Sequence, residues 1–320
     1  MLDRGVNIDA AARGGKTALH YTAIRSHSST AQLLLDRGAN IDAAAEDGKT
    51  ALHYSAEKGP TATVQLLLDK GANIDAMDKG GATALHYSAR QGNHDATTML
   101  LDRGTNIDAA AHGGQTALHS SAEWGRTSIV QLLLDRGANI DAATGDGQTT
   151  LHYSTKWGHT AIIQLLLERG ANINAVTEDG KTALHYSAMQ WYTPTIRLLF
   201  DWGAIVDAAA EDGKTALSYL TELGRTAIVQ LLLDRGANID AAAEGGKTAL
   251  HYSTEWGLAA IVQLLLDRGA NINATAEDDK EALHYSAERG HTSIAQLLLD
   301  RGANINAAVS GGMTDRKSVV

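Results

Sequence analysis

The sequence predicts an all-α repeat protein, a solenoid of helix–turn–helix units joined by hairpin-like loops, and three observations carry that prediction. The tetrapeptide TALH, or a close variant, begins at Thr17, Thr50, Thr83, Thr116, Thr149, Thr182, Thr215, Thr248 and Glu281, always 33 residues apart. Each repeat then holds two short stretches of helical character separated, in most repeats, by a glycine. A turn-rich NID or NIN segment closes most of them, as in LLLDRGANID at 132–141.

The second repeat shows the elements in order. Thr50 stands as the N-cap of a short helix, its hydroxyl placed to accept from the first free amides. Ala51, Ser55 and Ala56 keep that helix slim enough for close approach, and Gly59 offers the left-handed residue that stops it. A second helix starts near Thr61 and sets Val64, Leu67 and Leu68 at i, i+3 and i+4, and Gly71 ends it. NIDAMDKGGAT, residues 73–83, is too rich in turn formers for a helix and reads as a tight hairpin-like excursion. Two short helices cannot bury an apolar face alone, so neighbouring repeats must stack, about 10 Å apart at ordinary helix-packing distances.

Composition excludes several classes of function. No run approaches the roughly 18 apolar residues of a membrane span, so no membrane partner is expected. MLDRGVNIDA has no continuous apolar region of a secretion signal, and an intracellular setting, cytoplasmic or nuclear, is expected. The chain has no cysteine, so disulfides, thiolate zinc sites and cysteine nucleophiles are out. A formal charge of −10 with no basic run argues against nucleic acid. There is no phosphate loop, nucleophile elbow or HExxH, so no catalytic residue, metal ligand or cofactor is expected.

With its 33-residue register and TALH motif, the chain resembles the ankyrin-repeat family, whose signature is TPLHxA. Ala51, Ala84 and Ala117, and Thr150 in one repeat, stand where that family has proline; alanine suits a first helical turn, so the fold expectation is unaffected. The resemblance covers about residues 1–314, expected as a single continuous array: a partial repeat at 1–11, nine repeats to about 308, and a tenth that starts and fails. Residues 315–320 form an irregular tail that need not be native, with Asp315, Arg316 and Lys317 where Ala, Leu and His belong.

The motif histidines, His20, His53, His86, His119, His152, His185, His251 and His284, are replaced once, by Ser218. Equivalent atoms about 10 Å apart cannot share a metal whose bonds are about 2 Å long. The resemblance implies instead that each histidine bonds to the motif threonine and to backbone near the hairpin, tying repeats together. His27, His94, His112, His159 and His291 fall in loops or hairpin tips and are expected to be solvated.

Function is expected where the repeats differ. Four residues after the motif tyrosine the series runs Arg25, Lys58, Gln91, Trp124, Trp157, Gln190, Leu223, Trp256, Arg289, aromatic or apolar mainly towards the middle and polar at both ends. Trp191 lies one position further on, where most repeats place the helix-ending glycine, and i, i+4 spacing sets Tyr153 beside Trp157 and Tyr252 beside Trp256. The resemblance implies that this helix end and the hairpin tips line a concave surface that grips protein partners, where tryptophan is a frequent anchor. Between Trp191 and Leu223 an irregular joint gathers Pro194, Phe200, Trp202, Ile205, Ser218 and Leu220.

The tips of repeats six to nine, which include Glu178, Asp179, Glu211 and Asp212, carry a balance of −5, against zero for the first five. That favours a partner with a basic segment. The expectation is a non-catalytic scaffold binding a protein or peptide on its concave face. Its alternative is the recognition arm of a larger multidomain enzyme or adaptor, of which the chain is a fragment. End-to-end self-association through bare end repeats is a further expectation.

Overall fold

A computed structural model describes residues 7–58 and 61–306. The Gly59 helix stop, the start of the partial first repeat, the aborted tenth repeat and the 315–320 tail lie outside the described residues, as does the bare C-terminal end invoked for self-association. The chain divides into two compact bodies, Met1–Asn172 and Ile173–Val320, each considered by itself.

In the N-terminal body the TALH motif opens the helices Ala18–Arg25, Ala51–Lys58, Ala84–Gln91, Ala117–Glu123 and Thr150–Lys156. Each is followed by a second helix: Ser28–Asp36, Thr61–Asp69, His94–Asp102, Thr127–Asp135 and Thr160–Glu168. The C-terminal body repeats the scheme, with Ala183–Met189, Ala216–Glu222, Ala249–Glu255 and Ala282–Glu288 paired to Thr193–Asp201, Thr226–Asp234, Ala259–Asp267 and Thr292–Asp300. Within each body, motif helices pack on motif helices and second helices on second helices, so the core is a two-layer stack built from neighbours along the chain. Among the described residues no strand forms; the segment between repeats is a turn with one isolated bridge, Ala143 to Thr149.

Small side chains make the stack possible. Ala51, Ala84, Ala117, Ala183, Ala216, Ala249 and Ala282 are buried, in the place the family gives to proline. In the second helix of repeat two, the buried residues are Thr63, Val64 and Leu67, with Leu68 only half-covered. Glycines after the motif helix, such as Gly92 at φ 83° and Gly125 at φ 67°, are left-handed and turn the chain into the second helix.

Three ladders link the repeats within each body. Tip to tip, backbone amides donate to the preceding tip, as in Lys79 to the Asp47 carbonyl at 3.0 Å and Glu244 to the Asp212 carbonyl at 2.8 Å. Asp or Asn side chains of one NID or NIN turn accept the next turn's amide, as Asp42 does from Asn73 at 2.9 Å. Along the second helices, Lys or Arg pairs with the aspartate one repeat earlier, as in Arg136 with Asp102 at 2.7 Å and Arg268 with Asp234 at 2.8 Å. Trp202 occupies the position of that basic residue in repeat six.

Candidate functional site

Each motif helix has a buried start and an exposed end, and the two ends do different work. At the start, the imidazole Nδ1 accepts the threonine amide, 3.0 Å for His20 and 3.1 Å for His53, and lies 2.9 Å from the threonine hydroxyl in both. The Nε2 of His20 lies 3.1 Å from the Lys49 carbonyl, and that of His53 3.0 Å from the Ala82 carbonyl, one repeat on. A carbonyl only accepts, so Nε2 carries the proton and Nδ1 is bare, taking protons from both amide and hydroxyl. The arrangement is a capping box with histidine in the place usually taken by glutamate.

This refines the capping role expected of Thr50. The motif threonine's short contact runs to the imidazole, and the helix amide that its hydroxyl also faces lies further off, at 3.5 Å for Thr116. Burial holds His20, His53, His86, His119, His185 and His251 below the ordinary histidine range, since the charged form loses solvation and Nδ1 already faces a donor. Ser218 reaches the Thr215 amide only at 3.4 Å.

Two of the histidines expected to be solvated are instead structural. His159 and His291 are half-buried at the start of second helices, and their Nε2 atoms reach back to the Glu123 and Glu255 carbonyls at 3.1 and 3.2 Å. Arg126 does the same to the Arg90 carbonyl at 3.0 Å and Asn93 to that of Ala56 at 2.7 Å. These side chains satisfy carbonyls left free at the end of the previous motif helix. His27, His94 and His112 are exposed.

At the other end of the motif helices stands the aromatic row. In the N-terminal body Trp124 and Trp157 are each 50 % exposed; in the C-terminal body the exposures are 48 % for Trp191, 40 % for Leu223 and 62 % for Trp256, while Trp202, 44 % exposed, stands apart at the end of a second helix. Half of each ring therefore packs on the scaffold and half faces solvent. Arg90 lies over the Trp124 ring at 5.0 Å, and Arg225 over that of Trp191 at 3.7 Å. Trp191 adopts φ 60°, a left-handed conformation costly for a bulky side chain, in the place where most repeats put glycine and the first puts Ser26 at φ 63°.

Tyr153 and Tyr252 do not widen this row. Both are buried, at 8 % and 6 % exposure, because the preceding repeat covers their side of the helix. The Tyr153 hydroxyl accepts from the Gln115 amide at 2.8 Å, its ring meets His119 edge-on at 5.4 Å, and burial pushes the Tyr252 hydroxyl up to about 12. At the joint, Pro194 sits in the first turn of its helix, Leu220 is fully buried where the other repeats have serine or, once, Thr22, Phe200 is half-covered, and Ile205 is exposed.

Among the acidic tips, Asp179, Glu211, Asp212 and Glu244, with Lys181, line a shallow concavity of about 420 Å³. Lys181 pairs with Asp179 and, with Thr177, holds its carboxyl below the usual range. Asp212 accepts the Tyr219 hydroxyl at 3.3 Å and the Lys214 amide at 3.0 Å. Glu178 is exposed beside this concavity.

Among the described residues no three histidine or acidic side chains gather to hold a metal ion, and no helix is long and apolar enough to cross a membrane. No individually curated protein matches the chain. The family of ankyrin repeats (3 copies) matches residues 1–78, 71–144, 141–210, 204–276 and 245–309. With that match over nearly the whole length and the helix pairs that the structure shows, this chain is a member of the ankyrin-repeat family, a general protein–protein interaction fold.

Proposed function

We propose that the chain is a non-catalytic scaffold that binds a protein or peptide partner along the exposed ends of its motif helices and the neighbouring tips, the concave side in this family. The observation that carries the reading is the tryptophan row. Trp124, Trp157, Trp191 and Trp256 keep about half or more of their surface in solvent, although every repeat could end its helix with a polar residue, as Arg25 and Arg289 do. A half-exposed indole has much apolar surface left to lose on contact, and one buried at an interface is worth about 2 kcal/mol or more.

The acidic concavity of the C-terminal body supports a partner carrying a basic segment. Its contribution falls mainly on encounter rate and orientation, because tip charges are solvated and screened. Such a scaffold works inside the cell, in cytoplasm or nucleus.

The test is affinity capture with the wild type and a Trp124→Ala, Trp157→Ala, Trp256→Ala variant, followed by titration of the identified partner. The reading predicts an affinity loss of at least tenfold with helical circular dichroism unchanged. Equal affinity would refute it. For the basic segment, Glu211→Gln with Asp212→Asn is expected to slow association and flatten its salt dependence.

A further inference from the structure

The fourth repeat alone lacks the motif tyrosine, and two neighbouring positions, each shared with some other repeats, combine with that gap to leave a pocket. Its motif reads TALHS, with Ser120 where the other eight repeats have tyrosine. That tyrosine normally stacks on the histidine of the preceding repeat: His20 on Tyr54, His53 on Tyr87, His119 on Tyr153, His185 on Tyr219 and His251 on Tyr285 all meet edge-on at 5.4 to 5.9 Å. His86 faces Ser120 instead.

Beside that gap Gln115 stands in the place of Lys49, Lys214, Lys247 and Lys280, as Gln148 does in the fifth repeat. Those lysines pair with Glu57, Glu222, Glu255 and Glu288 eight residues on. Gln115 instead donates to the Tyr153 hydroxyl at 2.8 Å, and Glu123 forms no ion pair among the described residues. Gly113 stands where Asp47 and Asp212 bond their repeats' tyrosine hydroxyls, a place that Gly14, Gly80 and Gly245 take in other repeats. The ring, its hydroxyl partner and the lysine are all replaced in one repeat.

What remains is a cavity of about 270 Å³, open to solvent on one side, with Ser120 among its lining residues. Its walls include His86, Tyr87, Glu123, Trp124 and Arg90, the last lying over the Trp124 ring. An apolar cavity of about 150 Å³ admits benzene, so the space suffices for a phenyl or phenol ring. A ring entering it would meet the His86 edge and Trp124 in the offset or edge-on geometry that aromatic pairs favour.

We propose that this notch is a binding pocket for one aromatic side chain of a partner peptide, preferably beside a basic residue. The aromatic ring replaces the tyrosine that the repeat lacks, and the cation replaces the lysine opposite Glu123. The proposal deepens the protein-binding reading and rests on it, but its test needs no partner and so fails or succeeds separately.

The probes are p-cresol, the tyrosine side chain as a free molecule, and tyramine, the same ring bearing an ammonium group. Binding to the full ¹⁵N-labelled chain is followed at the Trp124 indole N–H, assigned with Trp124→Phe. Both probes are expected to saturate at millimolar concentration, tyramine about threefold more tightly, with Glu123→Gln closing the gap. Ser120→Tyr restores the sequence of the other repeats and so is expected to fold with an unchanged or higher thermal midpoint; it should abolish binding of both probes. Trp124→Ala, at a half-exposed position, removes one wall and should weaken binding severalfold, followed in that variant at the Ser120 and Glu123 backbone amides, which line the same pocket. Absence of saturable shifts in the wild type, or undiminished binding in Ser120→Tyr, would overturn the pocket. Equal affinity for the two probes would overturn the basic neighbour.

Discussion

The two ends of the motif helices, seven or fewer residues apart, obey opposite rules. At the start, one histidine recurs in eight of nine repeats, is buried wherever its hydrogen bonds are fully described from His20 to His251, and has both ring nitrogens engaged. At the end, the residue changes from Arg25 to Trp124 to Leu223 to Arg289, and the aromatic members stay half in solvent. A buried polar group must find the same partners in every repeat, or its desolvation goes uncompensated. An exposed end carries no such constraint, so it is free to be set by what binds there.

The strongest way to break this comparison is acid, because it acts on every buried imidazole together. Six motif histidines are held below the ordinary value in the fold, whereas in the unfolded chain they titrate near 6.5. Between those values the unfolded chain binds more protons. Stability is therefore full above about pH 6.5 and declines as pH falls below it. Thermal midpoints at pH 7.5 and 5.0, at matched ionic strength, should show a clear drop; a flat profile would mean the imidazoles tolerate charge.

Next comes a single cut. His119→Ala strands the Thr116 amide and the Gln148 carbonyl in a buried site and removes the edge contact to Tyr153. About 3 kcal/mol of destabilisation is expected in urea unfolding. Gly48→Ala should cost about 2 kcal/mol, because at φ 84° its Cβ would lie 2.5 Å from the Lys79 amide of the next tip. At the opposite end, Trp256→Ala should change stability by less than about 0.5 kcal/mol, as exposed substitutions do. A larger loss there would assign Trp256 to the scaffold.

Much of this was legible in the sequence, for physical reasons that particular residues make plain. The 33-residue register predicts the helix pairs because each repeat must bury the same face against its neighbour, and Val64 and Leu67 do so. The inter-repeat role of His53 followed from the family resemblance, and the structure adds its tautomer. Tyr153 and Tyr252 were misplaced because i, i+4 spacing shows which side chains are near on one helix, not which flank the adjoining repeat covers.

The backward reach of Asn93, Arg126, His159 and His291 was hidden for another reason. The position changes residue type from repeat to repeat, so only the common target, a carbonyl at the end of the preceding motif helix, reveals the shared role. The notch at Ser120 was visible as one altered letter. Its meaning depends on the histidine–tyrosine contact 34 residues apart, which no local pattern shows.

The most direct measurement compares thermal unfolding of the Trp124→Ala, Trp157→Ala, Trp256→Ala variant with that of His119→Ala. If the buried start is scaffold and the exposed end is surface, the triple variant should melt within about 2 °C of wild type and the single histidine variant at least about 5 °C lower. A triple variant that melts as low as His119→Ala would contradict the account, because the tryptophans would then be holding the repeats together.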